Sequence, residues 1–227
     1  MVVGVDGCRE GWVGVALDDS CAVQHLEVAP SLKELLARFD SAVCAGVDMP
    51  LHLLDAGQRP ADVEARARLG PLRGRSVFPA PPAFVIEDRW MNSPHAEVNA
   101  ECRLRYNSGI PAQSLALRSK IREVNEAFSA GFPVIEVHPE VSFLAMNGEE
   151  PLSFRKKSWG GFHERQSILA QHGLQVPGLL PSTVASLAAD DILDALAASW
   201  TAHRFANGAS EGLPDLSPAP RNPVIWV

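Results

Sequence analysis

Three β-branched-rich runs open the chain in quick succession, over residues 2–8, 12–18 and 22–29, separated only by the turn-type sequences REG and DDS. Such short connections permit only neighbouring antiparallel strands, so the three runs predict a meander. PSLKELLARF follows, with Ser31 and Glu34 spaced as a capping box ahead of Leu32, Leu35, Leu36 and Phe39, which predicts a helix. AVCAGVD (42–48) is a fourth strand, ended by Pro50. A β-β-β-α-β order returns the fourth strand parallel to the first through a right-handed crossover. The class is therefore α/β.

Beyond residue 50 the pattern turns helical. RPADVEARARLG (59–70) reads as a helix closed by Gly70, and GRSVFPAPP (74–82) as a rigid proline loop. Residues 93–109 read as a helix capped by Ser93, and 111–131 as one helix ending at Gly131. FPVIEVHPE (132–140) is a fifth strand, 161–173 a helix, and 186–208 the longest helix, with Gly208 just past its end. The expected architecture is a mixed five-stranded sheet in the order 3-2-1-4-5, flanked by helices, in one domain with a helical and loop insertion over about 51–131. The terminal NPVIWV reads as a further edge strand, and the Pro-rich stretch 214–223 as a short connection.

A formal net charge of −7 excludes bulk electrostatic coating of nucleic acid or anionic membrane, so any polyanion has to be met by a local basic patch. Four cysteines without a C-x-x-C pair suggest neither a zinc site nor a disulfide framework. No run approaches the roughly 18 apolar residues of a membrane span. A soluble cytoplasmic protein is expected.

Three apolar runs end in an acid: VVGVD at Asp6, CAGVD at Asp48 and PVIE at Glu136. Parallel strands bring their carboxyl ends to one edge, where α/β ligand sites form. Asp191 and Asp194 stand three apart on one face of the last helix, within an apolar stretch. Clustered carboxylates repel one another unless a cation neutralises them. An all-oxygen set without companion His or Cys suits Mg²⁺ or Mn²⁺. Such ions activate water for phosphoryl displacement.

Other polar residues divide between two readings each. Arg59, Arg73 and Arg75 make a locally basic stretch suited to phosphate, while Arg66 and Arg68 pair equally well with Asp62 and Glu64. Lys156 and Lys157, ahead of Gly160 and Gly161, read as a phosphate grip or as solvated loop lysines. His138, two residues beyond Glu136, is a proton shuttle or a structural histidine, and Glu140 divides the same way.

The order of parts resembles the ribonuclease H-like fold. The stretches VDGCREGW, VDMPLHL, RPADVEARARLG, VFPAPP, VIEVHPEVSF, KKSWGGFHER and DDILDALAASW are similar, nearly end to end, to the domain-of-unknown-function 429 family, described as predicted RNase H-like nucleases. The resemblance implies a metal-dependent nuclease acting on a nucleic acid or nucleotide. Asp6 and Asp48 would be its central ligands, Asp191 and Asp194 would match the helix acids of the more distant RuvC-type resolvases, and Glu136 would be an addition. Those resolvases pair as dimers, so a homodimer is also implied. Two alternatives stand beside this reading: an actin- or sugar-kinase-like phosphotransferase, and a non-catalytic binding module.

Overall fold

The computed structural model describes residues 1–176, 178, 180, 182–214 and 224–227. Its elements in chain order are β1 (Val2–Cys8), β2 (Gly11–Leu17), β3 (Val23–Ala29), α1 (Leu32–Ala37), β4 (Ala45–Val47), α2 (Pro60–Arg73), α3 (His95–Tyr106), α4 (Ala112–Ala116), α5 (Arg118–Ser129), β5 (Val134–Val137), α6 (Pro139–Met146), α7 (Trp159–Gln171), α8 (Ser182–Ala185), α9 (Ala189–Ala206), β6 (Gly212–Leu213) and β7 (Ile225–Trp226). Among the described residues the sheet is mixed and has seven strands rather than five, in the order β3-β2-β1-β4-β5-β7-β6. The expected order 3-2-1-4-5 is present and is extended at the β5 side by the two short C-terminal strands. β4, β5 and β7 run parallel to β1, whereas β2 and β3 form the antiparallel meander and β6 pairs antiparallel with β7.

Side-chain alternation along β1 sorts the two faces. Val3 and Val5 join the core under α1 and α5, with Leu35, Phe39, Ile121 and Val124. Val2 and Cys8 join the core on the other face, under α9, with Leu193, Leu196 and Ala197. Asp6 shares the parity of Val2 and Cys8, and so belongs to the α9 face.

Glycine lets α9 lie against this face. A Cβ on Gly4 would stand 2.0 Å from the Ser199 nitrogen and 2.1 Å from the Ala195 oxygen, and one on Gly46 would stand 2.8 Å from the Ala198 oxygen. The helix backbone therefore rests directly on β1 and β4, and the N-terminal part of α9 overhangs the strand ends that carry Asp6 and Asp48. Alanines 195, 197, 198 and 202, all buried, complete the close seam.

Several boundaries differ from expectation for local reasons. Gly70 does break the helical path, with φ 66°, but Pro71 suits the start of a helical turn and the chain coils on to Arg73. Pro94 rather than Ser93 occupies the cap position of α3, and Asn107 ends it in the left-handed conformation. The segment 111–131 is two helices hinged at Leu117. The fifth strand stops at Val137, because Pro139 starts α6, an element the sequence pattern concealed behind its nearly continuous apolar character. Of the Pro-rich connection, residues 215–223 lie outside the described residues.

Candidate functional site

A cleft of about 370 Å³ opens where β4, β5 and α9 converge. Three carboxylates line it: Asp48, just past β4; Glu140, in the first turn of α6; and Asp194, one turn inside α9. His138 and Lys156 line it as well, and Leu72, Arg73, Arg75 and Arg155 stand around it. Asp6 is buried beside this group and accepts a 2.7 Å hydrogen bond from its neighbour, the Gly7 backbone N–H.

The electrostatics tie these groups into one cluster. The Asp6 carboxyl is held well above its ordinary range by burial, then by Asp194 and by Asp48. Burial also raises Asp48, against the pull of His138 and Lys156. Asp194, only 2% exposed, is pushed up to about 7 by burial, with Lys156 opposing and Asp48 and Glu140 adding to the rise. Burial thus outweighs the one nearby cation, and the neighbouring carboxylates add to the rise.

That cation is Lys156. Its Nζ donates to Asp194 Oδ2 at 2.5 Å and lies 3.8 Å from Asp190. Burial alone would lower the Lys156 pKa, but Asp194, Asp48 and Asp6 together raise it. Among the described residues, two carboxylate oxygens of the cluster, Asp194 Oδ1 and Glu140 Oε2, are buried without a partner. The other Glu140 oxygen accepts from the fully buried Arg165, which also donates to the Gly161 carbonyl at 3.2 Å, so Glu140 is fixed from behind by α7.

Among the described residues, no three His, Cys, Asp or Glu side chains already close around one point as a metal cage. Lys156 stands among them instead. The donor set nevertheless fits a hard divalent cation: Asp6, Asp48 and Asp194 offer oxygen only, their carboxyls are raised first by burial and further by neighbouring carboxylates, and Asp194 Oδ1, without a partner among the described residues, has a lone pair to give.

The remaining sequence candidates separate by register. Glu136 pairs in the ladder with Val47, whose side chain joins the α1 and α5 core, whereas its neighbours Ile135 and Val137 join the α9 core. Glu136 thus leaves the sheet on the face opposite the cluster. It accepts from the Leu51 N–H at 2.7 Å and from Arg59 at 2.5 Å, and burial raises it to about 7 even though Arg59 lowers it. Arg59, expected to grip phosphate, is instead 2% exposed and locked between Glu136 and Asp62. Asp191 is half-buried beside Asp190, and its carboxyl is raised by burial and by that neighbour. Lys157 is largely exposed, 3.9 Å from Asp190. Arg73 uses its guanidinium to hold the carbonyls of Leu152 and Phe154, while Arg75 makes no ion pair or side-chain hydrogen bond among the described residues.

Sequence reasoning passed over Arg155, although it begins the cationic run RKK, and Lys120, which has no motif around it. Lys120 reaches over the Trp12 ring to the Gly11 carbonyl, and a Cβ on Gly7 would meet its side chain at 2.8 Å. A wider depression of about 690 Å³ beside α5 carries no comparable chemistry, because its Arg122 is satisfied by Asp88 and Glu126 at 2.6 Å each. No helix among the described residues is long and apolar enough to cross a membrane.

Comparison with curated proteins and with solved structures yields no match. A family model described as a protein of unknown function, DUF429, matches residues 4–219, and the chain belongs to that family.

Proposed function

We propose that the protein is a divalent-cation-dependent phosphodiester hydrolase, an RNase H-like nuclease whose centre is formed by Asp6, Asp48 and Asp194. The observation that carries this reading is one cleft whose floor is anionic and whose border is cationic: Asp48, Glu140 and Asp194 beneath Arg73, Arg75 and Arg155. Clustered carboxylates call for a hard cation, and guanidinium groups around them suit the phosphate that such a cation engages. The β1-β2-β3-α1-β4 order, with acids near the end of β1, just past β4 and on the last long helix, supports the RNase H-like comparison.

A Mg²⁺ or Mn²⁺ ion held by Asp6, Asp48 and Asp194 would supply an activated water and charge stabilisation at phosphorus. In hydrolysis the water oxygen bonds to phosphorus as the bond to the leaving oxygen breaks. Arg75 and Arg155 would neutralise the phosphate, and His138, at the cleft wall, would give a proton to the departing oxygen. Lys156 would leave Asp194 to pair with the incoming phosphate. Its ordinary partner exchange is between anions, so no charge is stranded.

The test is cleavage of labelled oligonucleotides with Mn²⁺ by wild type and Asp6→Asn, prepared identically. Wild-type cleavage reduced by about a hundredfold or more in the variant is the expected result. Equal cleavage by both proteins would sink the reading.

A further inference from the structure

The loop that delivers Lys156 to the acids carries a second feature that catalysis does not use. Trp159 is 78% exposed and Phe154 53% exposed, and across the cleft Leu72 is 76% exposed. Arg155, Lys156 and Lys157 lie between the two aromatic residues in the chain. Scattered exposed apolar side chains are ordinary, but here two exposed rings flank a cationic run of which Arg155 and Lys156 line the anionic cleft, a patch of definite chemistry.

This loop is tied down on every side. Glu164 accepts the backbone N–H groups of Ser153 at 2.6 Å and Phe154 at 3.0 Å. Arg73, from the opposite lip, donates to the Phe154 carbonyl. Ser158 donates to the Arg155 carbonyl at 2.7 Å and caps α7 through Gly161 at 3.1 Å. The glycines are needed for this: a Cβ on Gly161 would stand 2.0 Å from the Arg155 oxygen, and one on Gly160 would stand 2.9 Å from the Phe154 ring. Trp159 is propped by Phe162, with ring centroids 6.3 Å apart, and by His163 at 4.2 Å. The rings are therefore pre-set in water, with little ordering entropy left to lose on binding.

We infer that Phe154 and Trp159 form a stacking platform for unpaired bases, so that the cleft takes single-stranded nucleic acid rather than duplex. A single strand presents flat bases beside phosphates, which suits two rings flanking a cationic run, whereas a duplex hides its base faces. The inference rests on the nuclease reading for the choice of polyanion and adds the strandedness of the substrate.

The measurement is anisotropy of fluorescein-labelled 12-nucleotide oligo(dT) and oligo(U), and of a blunt duplex of equal length, titrated with the full chain in EDTA. At least one single strand should bind more tightly than the duplex. Trp159→Ala should weaken that binding by roughly tenfold, and Trp159→Phe should restore most of it. Because Trp159 is exposed, the melting temperature of Trp159→Ala should match wild type, which separates stacking from folding. Binding of neither strand, equal binding of duplex, or an unchanged affinity in Trp159→Ala would each overturn the inference. EDTA removes metal and cleavage from the measurement, so this result is independent of the Asp6→Asn comparison.

Discussion

Lys156 Nζ lies 2.5 Å from Asp194 Oδ2, so the basic loop before α7 supplies the counter-charge for an acid buried on α9. The pair is unequal. Lys156 is 38% exposed on its side chain while Asp194 is almost sealed, and the second Asp194 oxygen has no partner among the described residues. One ammonium is thus shared among several carboxylates.

Asp194→Asn should flatten the pH dependence of stability in metal-free buffer. The folded-state pKa of about 7 lies above the ordinary 3.8, so between these values the native state holds a proton that the unfolded chain releases. Stability conferred by that proton is complete below the lower value and is lost as pH rises through the upper one. The amide does not ionise, and Lys156 turns to water. At pH 8 the variant should melt higher by on the order of 5 °C, with the gap closing toward pH 4. Parallel melting curves across pH would refute this account of the cluster.

Lys156→Ala should bind Mn²⁺ more tightly than wild type, by roughly fivefold, because an ammonium and a metal ion compete for the same oxygens. Isothermal calorimetry reads this directly. Unchanged affinity would show that Lys156 does not stand in the cation's place.

Gly4→Ala should destabilise the fold by about 1–3 kcal/mol or more, since the new methyl group meets helix backbone rather than a side chain that can move aside. It should also weaken Mn²⁺ binding, because lifting α9 draws Asp194 away from Asp6. Urea denaturation and calorimetry on the same preparation test both parts. A fully stable variant would contradict the close seating of α9.

Arg59→Met should cost about 3–5 kcal/mol at neutral pH, as it leaves Glu136 and Asp62 buried without their cation. Removing Arg59 raises the Glu136 pKa beyond about 7, so that carboxyl becomes neutral in the folded state. The loss should therefore be smaller at pH 5 than at pH 8. Denaturation midpoints at the two pH values decide it.

Much of the architecture was legible from local pattern. The meander, the Ser31 capping box and the crossover to β4 each depend on neighbours within a few residues, and Ser31 does accept from Glu34 in the capped helix. The acids near the carboxyl ends of β1 and β4 were visible for the same reason, although β1 runs on past Asp6 to Cys8. Glu136 ends a similar apolar run, but its side of the sheet depends on how β5 registers against β4, and a one-residue shift exchanges the faces. Arg59 was misassigned because one of its two buried partners, Glu136, lies 77 residues away. Glu140 stood out less than Glu136 because the strand pattern ran through the start of α6.

The sequence by itself determined the strand order of the first five strands, the acids at two strand ends and the family, because periodicity, turns and short motifs are local properties. Only the tertiary structure decided which acids share a cleft, that Lys156 neutralises them in part, and that Phe154 and Trp159 stand out in water beside it. Those outcomes depend on sheet register, on glycines that let α9 settle onto β1 and β4, and on long-range hydrogen bonds that hold one loop against another.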